Sequence, residues 1–234
     1  MNFGARLAAI AALVPPCGTL IDVGTDHAYL PVLVTSEGKV RKAIAGDIVE
    51  GPCEAARKTV ALYHKSDVIE VRRGSGLTVA RPGEVNVIVI AGMGAGTMLQ
   101  ILEASPAVWK DAACTSMVLQ PMSDSELLRH WSEEHGWGIV GENLVEENHK
   151  IYEILVLQKD SAYRYPGISY FVGDDVVRKH HPLLVPFTKH LLDKYNHVLT
   201  SMQHSQAAKK SQHYLECETI KKQLEEILNG NKSQ

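Results

Sequence analysis

The chain is short of cysteine, with only four in 234 residues. Cys17, Cys53, Cys114 and Cys217 form no CxxC pair and follow no zinc-ligand spacing. That excludes a disulfide-stapled secreted scaffold and a metal module, and fits buried, inert thiols in a reducing, cytoplasmic compartment. Long apolar runs are missing as well: nothing approaches the ~18 residues of a membrane-spanning helix, so no membrane partner is expected. The opening stretch, Met1 to Val14, is amphipathic, carries one arginine, Arg6, and lacks a small-residue cleavage site. It reads as a first helix ended by Pro15-Pro16 rather than as a secretion signal. The net charge of −3 hides an asymmetry. Residues 178–234 hold 9 Lys and Arg against 5 Asp and Glu, with six histidines; the first 177 residues hold 15 against 22. Such a tail suits an anionic partner, or it is simply a solvated helical surface.

Short apolar runs alternate with helical patterns along the first two thirds. Leu20–Val23, Lys42–Asp47, Val68–Arg72, Val85–Ile90 and Met117–Gln120 read as strands. Helices are predicted from Pro52 to about His64 and from Ser123 to about His135. This alternation predicts an α/β fold with a parallel sheet and helices on both faces. Ile139–Val145 and Ile151–Gln158 are strand-like, with only five residues between them. No helix fits there, so they form a hairpin. A parallel sheet closed by an antiparallel hairpin marks methyltransferase-type rather than dehydrogenase-type Rossmann folds. A turn-rich stretch, Asp160 to Gly173, then reads as a linker, dividing the chain into 1–160 and 161–234. Leu184, Phe187, Leu191, Tyr195, Val198 and Met202 follow 3- and 4-residue steps, and Cys217, Ile220, Leu224 and Ile227 do so in a second register. The slip between about Ser205 and Tyr214 predicts two helices folded back as a coiled-coil-like pair. A single helix across it would run ~60 Å.

Candidate binding residues gather at strand ends. The first strand runs into Asp22-Val23-Gly24-Thr25-Asp26-His27-Ala28-Tyr29-Leu30-Pro31. The dinucleotide fingerprint GxGxxG is absent, because Asp26 and Tyr29 stand at its later glycine positions. A carboxylate there repels a pyrophosphate and favours a cofactor with a positive centre, such as S-adenosylmethionine. Asp47, followed by Ile48, ends the second strand, where a carboxylate either accepts both ribose hydroxyls or caps the next helix. Gly74-Ser75-Gly76-Leu77 ends the third, as an adenine site or a plain turn. Ala91-Gly92-Met93-Gly94-Ala95-Gly96 follows the fourth strand, leaving room for a methionine end and a target base. Gln120-Pro121 ends the fifth, with an amide able to donate and accept at a base edge.

Asp-Val-Gly-Thr-Asp-His-Ala-Tyr-Leu-Pro at 22–31, Ala-Gly-Met-Gly at 91–94 and Leu-Gln-Pro at 119–121 resemble the bacterial tRNA (adenine-22-N1)-methyltransferase family. So do Gly46-Asp47-Ile48 with Gly51-Pro52, and Tyr152-Glu153. Ser75, Ala95 and Met122 depart from that pattern. The resemblance implies a class I S-adenosylmethionine methyltransferase domain with a coiled-coil-like helical C-terminal domain. It implies methyl transfer to adenine N1 of tRNA, leaving S-adenosylhomocysteine as product.

From these two readings come the candidate roles. Asp26 is the catalytic candidate, stabilising positive charge on the methylated base. His27 orients Asp26, touches the cofactor or packs in the turn. The cofactor set is Asp22, Gly24, His27, Asp47, Ile48, Ser75, Gly76, Leu77, Ala91, Gly92, Met93 and Gly94. The tRNA set is Arg6, Tyr29, Gln120, Pro121 and, in the basic tail, Lys209, Lys210, Lys221 and Lys222. A monomer is expected. Two rival classes remain open: a methyltransferase acting on another RNA or a small molecule, and a non-catalytic RNA-binding module.

Overall fold

The computed structural model describes residues 3–159, 170–173, 176, 180–203 and 205–230. The chain divides into two compact units, Met1–Tyr165 and Pro166–Gln234. Most of the turn-rich stretch read as a linker lies outside the described residues.

In the first unit seven strands form one sheet: β1 (Cys17–Val23), β2 (Val40–Asp47), β3 (Ile69–Arg73), β4 (Val87–Met93), β5 (Ser116–Pro121), β6 (Trp137–Glu147) and β7 (Lys150–Lys159). Their spatial order is β3-β2-β1-β4-β5-β7-β6. The first five pair in parallel, and β7 pairs antiparallel with both β5 and β6. The alternation of elements and the hairpin are therefore as the sequence implies. The order reverses between β1 and β4, which puts the crevice for a ligand at the carboxyl ends of these two strands. β5 is buried along its whole length, with Met117–Leu119 at its apolar centre and the polar Ser116 and Gln120 buried as well.

Helices α1 (Ala5–Leu13), α2 (Tyr29–Ser36), α3 (Glu50–Leu62), α4 (Ala95–Ala104), α5 (Pro106–Trp109) and α6 (Ser125–Glu134) connect the strands. In α3 the buried residues are Cys53, Ala56, Thr59 and Val60, the 3–4 spacing of a one-faced helix. Between β3 and β4 the chain makes only a 3₁₀ turn, Gly76–Val79, before the next strand. One boundary differs from the sequence reading in a way that matters. The Ala91-Gly92-Met93 run was expected to follow the fourth strand, yet it belongs to β4. Ala91 pairs with Gln120 and Met93 with Pro121, and the register shifts between them at Gly92, whose φ is +77°. A bulge at a glycine lets the strand continue where a glycine run alone suggests a loop.

A buried cation fastens α6 to the hairpin. Arg129 is fully buried; its Nε donates to Glu142 at 2.9 Å, its Nη1 to Ser125 at 2.9 Å, and its Nη2 to Glu153. Burying one charge is costly unless partners surround it, and here two carboxylates and a hydroxyl do. Glu153 is thus a structural anchor on β7, the strand next to the sheet edge.

In the second unit α7 (Leu184–Met202) and α9 (Gln212–Gly230) pack on each other, with the short α8 (Gln206–Lys209) between them. α8 sits where the heptad-like register slips. The side chain of Ser205 caps it, accepting from the Ala208 N–H at 3.2 Å. Among the described residues no helix is long and apolar enough to cross a membrane.

Candidate active site

The loop after β1 turns on two features. Gly24 has φ +73°, and a Cβ there would collide with the terminal methyl of Met93. The positive φ favours glycine here, and the bare backbone leaves room for the tip of the Met93 side chain. Beyond it Asp26 (φ 52°) and Ala28 (φ 56°) both hold left-handed backbone. For alanine that conformation costs roughly 1–2 kcal/mol, which the surrounding fold must supply. Between these two residues His27 is thrust outward, with its Nε2 3.7 Å from Asp26 Oδ1. The Asp26 carboxylate itself is largely exposed, at 71%.

Asp22 lies beneath this loop and is buried. It accepts from Thr25 Oγ1 at 2.7 Å. Burial pushes its carboxyl up to about 6, against the Thr25 hydrogen bond and helped by the negative charge of Asp47. A carboxyl so placed is poised to ionise when a cation is brought to it.

A cavity of about 340 Å³ opens at these strand ends. It is lined by Val23 and Gly24 from β1, Gly46, Asp47 and Ile48 from β2, Ser75 and Gly76 after β3, and Met93 from β4. Residues singled out in the sequence at four separate strand ends therefore line one cavity. Thr97, Gln100, Ile101 and Ala104 complete the lining from α4. Sequence reasoning missed these four. They recur at 3- and 4-residue steps on one face of α4, a signal that by itself does not tell a pocket wall from a core face. Asp47 Oδ1 accepts from the Val49 N–H at 2.9 Å, bracing the turn into α3 while lining the cavity; the cap position of α3 is Val49, and no side chain caps it. Leu77 is fully buried in the 3₁₀ turn, as backing for the cavity. The residues fit S-adenosylmethionine: the strand-end carboxylate of Asp47 suits ribose hydroxyls and Gly24 opens the cradle that a side chain would fill, while the buried carboxyl of Asp22, outside the lining but next to Val23, suits the ammonium group.

At the other side of the β4 end stands Arg6. Its Nη1 donates to Gln120 Oε1 at 2.7 Å, its backbone N–H donates to Glu147 Oε1 at 3.1 Å, and its guanidinium lies over the Tyr152 ring at 5.2 Å. A Cβ on Gly92 would come within 3.4 Å of Arg6 Nη1, so the bulge glycine borders the same spot. Gln120 is fully buried, and its Nε2 donates to the Pro121 carbonyl at 2.8 Å. Both ends of its amide are thus engaged within the protein. Gly94 stands just before α4 and Ala91 in the bulged end of β4, neither in the cavity lining.

Tyr29 is 39% exposed and stacks on two rings: His27, with centroids 5.2 Å apart and planes 14° apart, and Phe3, at 5.0 Å and 24°. Tyr63 meets Phe3 edge-on at 6.0 Å.

In the second unit Lys221 and Lys222 line a polar cavity of about 300 Å³ between α7 and α9, beside Glu218 and Glu225. Lys221 Nζ lies 3.8 Å from Glu225, one turn on. Lys209 and Lys210 end α8. Cys53, Cys114 and Cys217 are buried and Cys17 is half-buried, all four as free thiols; burial pushes Cys17 and Cys114 up to about 11. Among the described residues no group of three metal-ligating side chains occurs.

Comparison with known proteins agrees with this geometry. Residues 3–155 match the model of a methyltransferase domain family. The chain is 35% identical over 174 residues to the tRNA (adenine(22)-N(1))-methyltransferase of Bacillus subtilis (strain 168), an alignment spanning 74% of this chain and 72% of that one. The crystal structure of the B. subtilis m1A22 tRNA methyltransferase TrmK matches with a TM-score of 0.87 at 29% identity, over 97% of this chain and 99% of that chain. Streptococcus pneumoniae Sp1610, solved in complex with S-adenosyl-L-methionine, matches with a TM-score of 0.81 at 30% identity, over 95% and 98%. A seven-stranded sheet with its cavity at the β1–β4 crossover, a methyltransferase domain match across the first unit and a relative of this identity place the chain in the tRNA (adenine(22)-N(1))-methyltransferase family.

Proposed function

We propose that the protein methylates N1 of adenine 22 in tRNA with S-adenosylmethionine, acting as a monomer in the cytoplasm. The observation that carries this reading is the single cavity onto which Gly24, Asp47, Gly76 and Met93 converge from four strand ends. When bound there, S-adenosylmethionine supplies an electrophilic methyl group on a sulfonium.

Adenine N1 holds a lone pair in the ring plane, so no base is needed. The N1–CH₃ bond forms as the S–CH₃ bond breaks, and the positive charge moves onto the base. The Asp26 carboxylate, held at the loop tip beside His27, stabilises that charge. Asp22 binds the ammonium group and Asp47 the ribose hydroxyls. Arg6 and Gln120 form a braced wall at the β4–β5 end rather than a free base-reading pair. N1 lies on the Watson–Crick edge, so the adenine must leave its stack to reach the site. Lysines of the second unit, with Lys209, Lys210 and Lys222 on its helices, hold the RNA backbone.

The test is direct. Methyl-labelled cofactor is incubated with the protein and tRNA lacking the modification, and the labelled base is mapped. Label at N1 of adenine 22 is the expected result. Label at another position or on no nucleotide overturns the assignment.

A further inference from the structure

We propose that Phe3, Tyr29 and His27 form a stacking row for an unpaired purine of the RNA, with the outward ring of His27 taking the base. The inference rests on the methyltransferase reading above and adds to it the surface that receives the base once it has left its helix. Three rings stand in sequence, with Tyr29 in stacking contact with both neighbours at 5.0 and 5.2 Å. Tyr63 braces Phe3 edge-on from the end of α3. The row is anchored at one end by packing and is open at the other: the His27 side chain is 45% exposed.

Its position is what gives it a use. His27 lies three residues beyond Gly24, which lines the cofactor cavity, and next to Asp26. The left-handed backbone at Asp26 and Ala28 holds His27 out from the loop on both sides. Unpaired bases are held by stacking on aromatic faces, and every purine offers such a face. A purine on His27 would lie beside the Asp26 carboxylate, where positive charge develops. Phe3 touches no base in this arrangement. It is a positioning residue, acting through Tyr29 to fix the plane of the imidazole.

The experiment uses the full chain and full-length tRNA carrying 2-aminopurine, a fluorescent adenine analogue quenched by stacking, at the target position. With wild-type protein and cofactor the emission should stay quenched after binding. His27→Ala should leave the extruded base several-fold brighter. Phe3→Leu keeps an apolar side chain without a ring, and should brighten the probe and weaken productive tRNA binding about tenfold, read in KM. Phe3→Tyr should restore both values. Cofactor affinity, measured by calorimetry, and thermal unfolding should be the same in wild type, Phe3→Leu and Phe3→Tyr. The row is overturned if Phe3→Leu and Phe3→Tyr behave alike, or if His27→Ala leaves the probe quenched. A wild-type protein that methylates no tRNA overturns the function itself, an outcome distinct from either.

Discussion

Arg6 and Gln120, 114 residues apart, are joined by a 2.7 Å hydrogen bond from guanidinium to amide oxygen. With the Gln120 amide donating onward to the Pro121 carbonyl, α1 is tied to the carboxyl end of β5. Glu147 and Tyr152 hold the same arginine from the hairpin. The contact closes the far wall of the site using the first helix and the last two strands. Gln120→Leu removes one of the partners of Arg6 and takes from the Pro121 carbonyl the buried amide that donates to it. It should lower stability by about 1–3 kcal/mol in urea unfolding. Arg6→Lys should recover little of what Arg6→Ala loses, because an ammonium has no planar fork to meet amide and carboxylate together. Full recovery by lysine would show that only the charge matters.

Asp22 predicts a pH dependence. Its folded value, about 6, is raised above the ordinary 3.8. The folded state therefore binds this proton more tightly than the unfolded chain does. The stability it contributes is fully present below about pH 4 and is lost as pH rises through about 6. Without cofactor, wild-type protein should lose stability between about pH 4 and 6 relative to Asp22→Asn, in matched thermal melts. With cofactor the sign turns: an ionised Asp22 attracts the ammonium group, so affinity should rise over the same window in the wild type and stay flatter in Asp22→Asn. Parallel pH curves for the two proteins would remove Asp22 from the site.

Asp47 combines two duties, a hydrogen bond from the Val49 N–H and a place in the cavity wall. Asp47→Ala should weaken S-adenosylmethionine binding by about 1–3 kcal/mol, the worth of hydrogen bonds to a charged acceptor. Calorimetric titration checks this, and unchanged affinity would leave Asp47 as a brace for the turn into α3 alone.

Replacing Lys209, Lys210, Lys221 and Lys222 with glutamine should weaken tRNA binding and flatten its salt dependence. Each lost phosphate contact takes roughly 0.7–0.9 from the slope of log K against log salt. Lys221 already faces Glu225, so it should contribute less than its three neighbours. Binding isotherms at several salt concentrations decide it, and an unchanged slope would make these lysines a solvated surface.

Local chemistry was enough to determine much of this protein. The strands follow from β-branched runs such as Val87–Ile90, which need only their own side chains to favour extended, buried backbone. The hairpin follows from five residues between two such runs, too few for a crossover. The paired tail helices follow from one register slip. The strand-end residues Gly24, Asp47 and Gly76 were legible because each sits at a boundary that periodicity locates. What folding alone decided is everything made by residues distant in sequence. Whether the glycines after Ile90 form loop or strand depended on pairing with Gln120 and Pro121. The α4 wall of the cavity, the engagement of Gln120 by Arg6, the burial of Arg129 between Glu142 and Glu153, and the stacking of Phe3 on Tyr29 arise only when separate elements pack. Periodicity reports which face of an element is buried, but the partner it meets is set by the packing of the whole sheet.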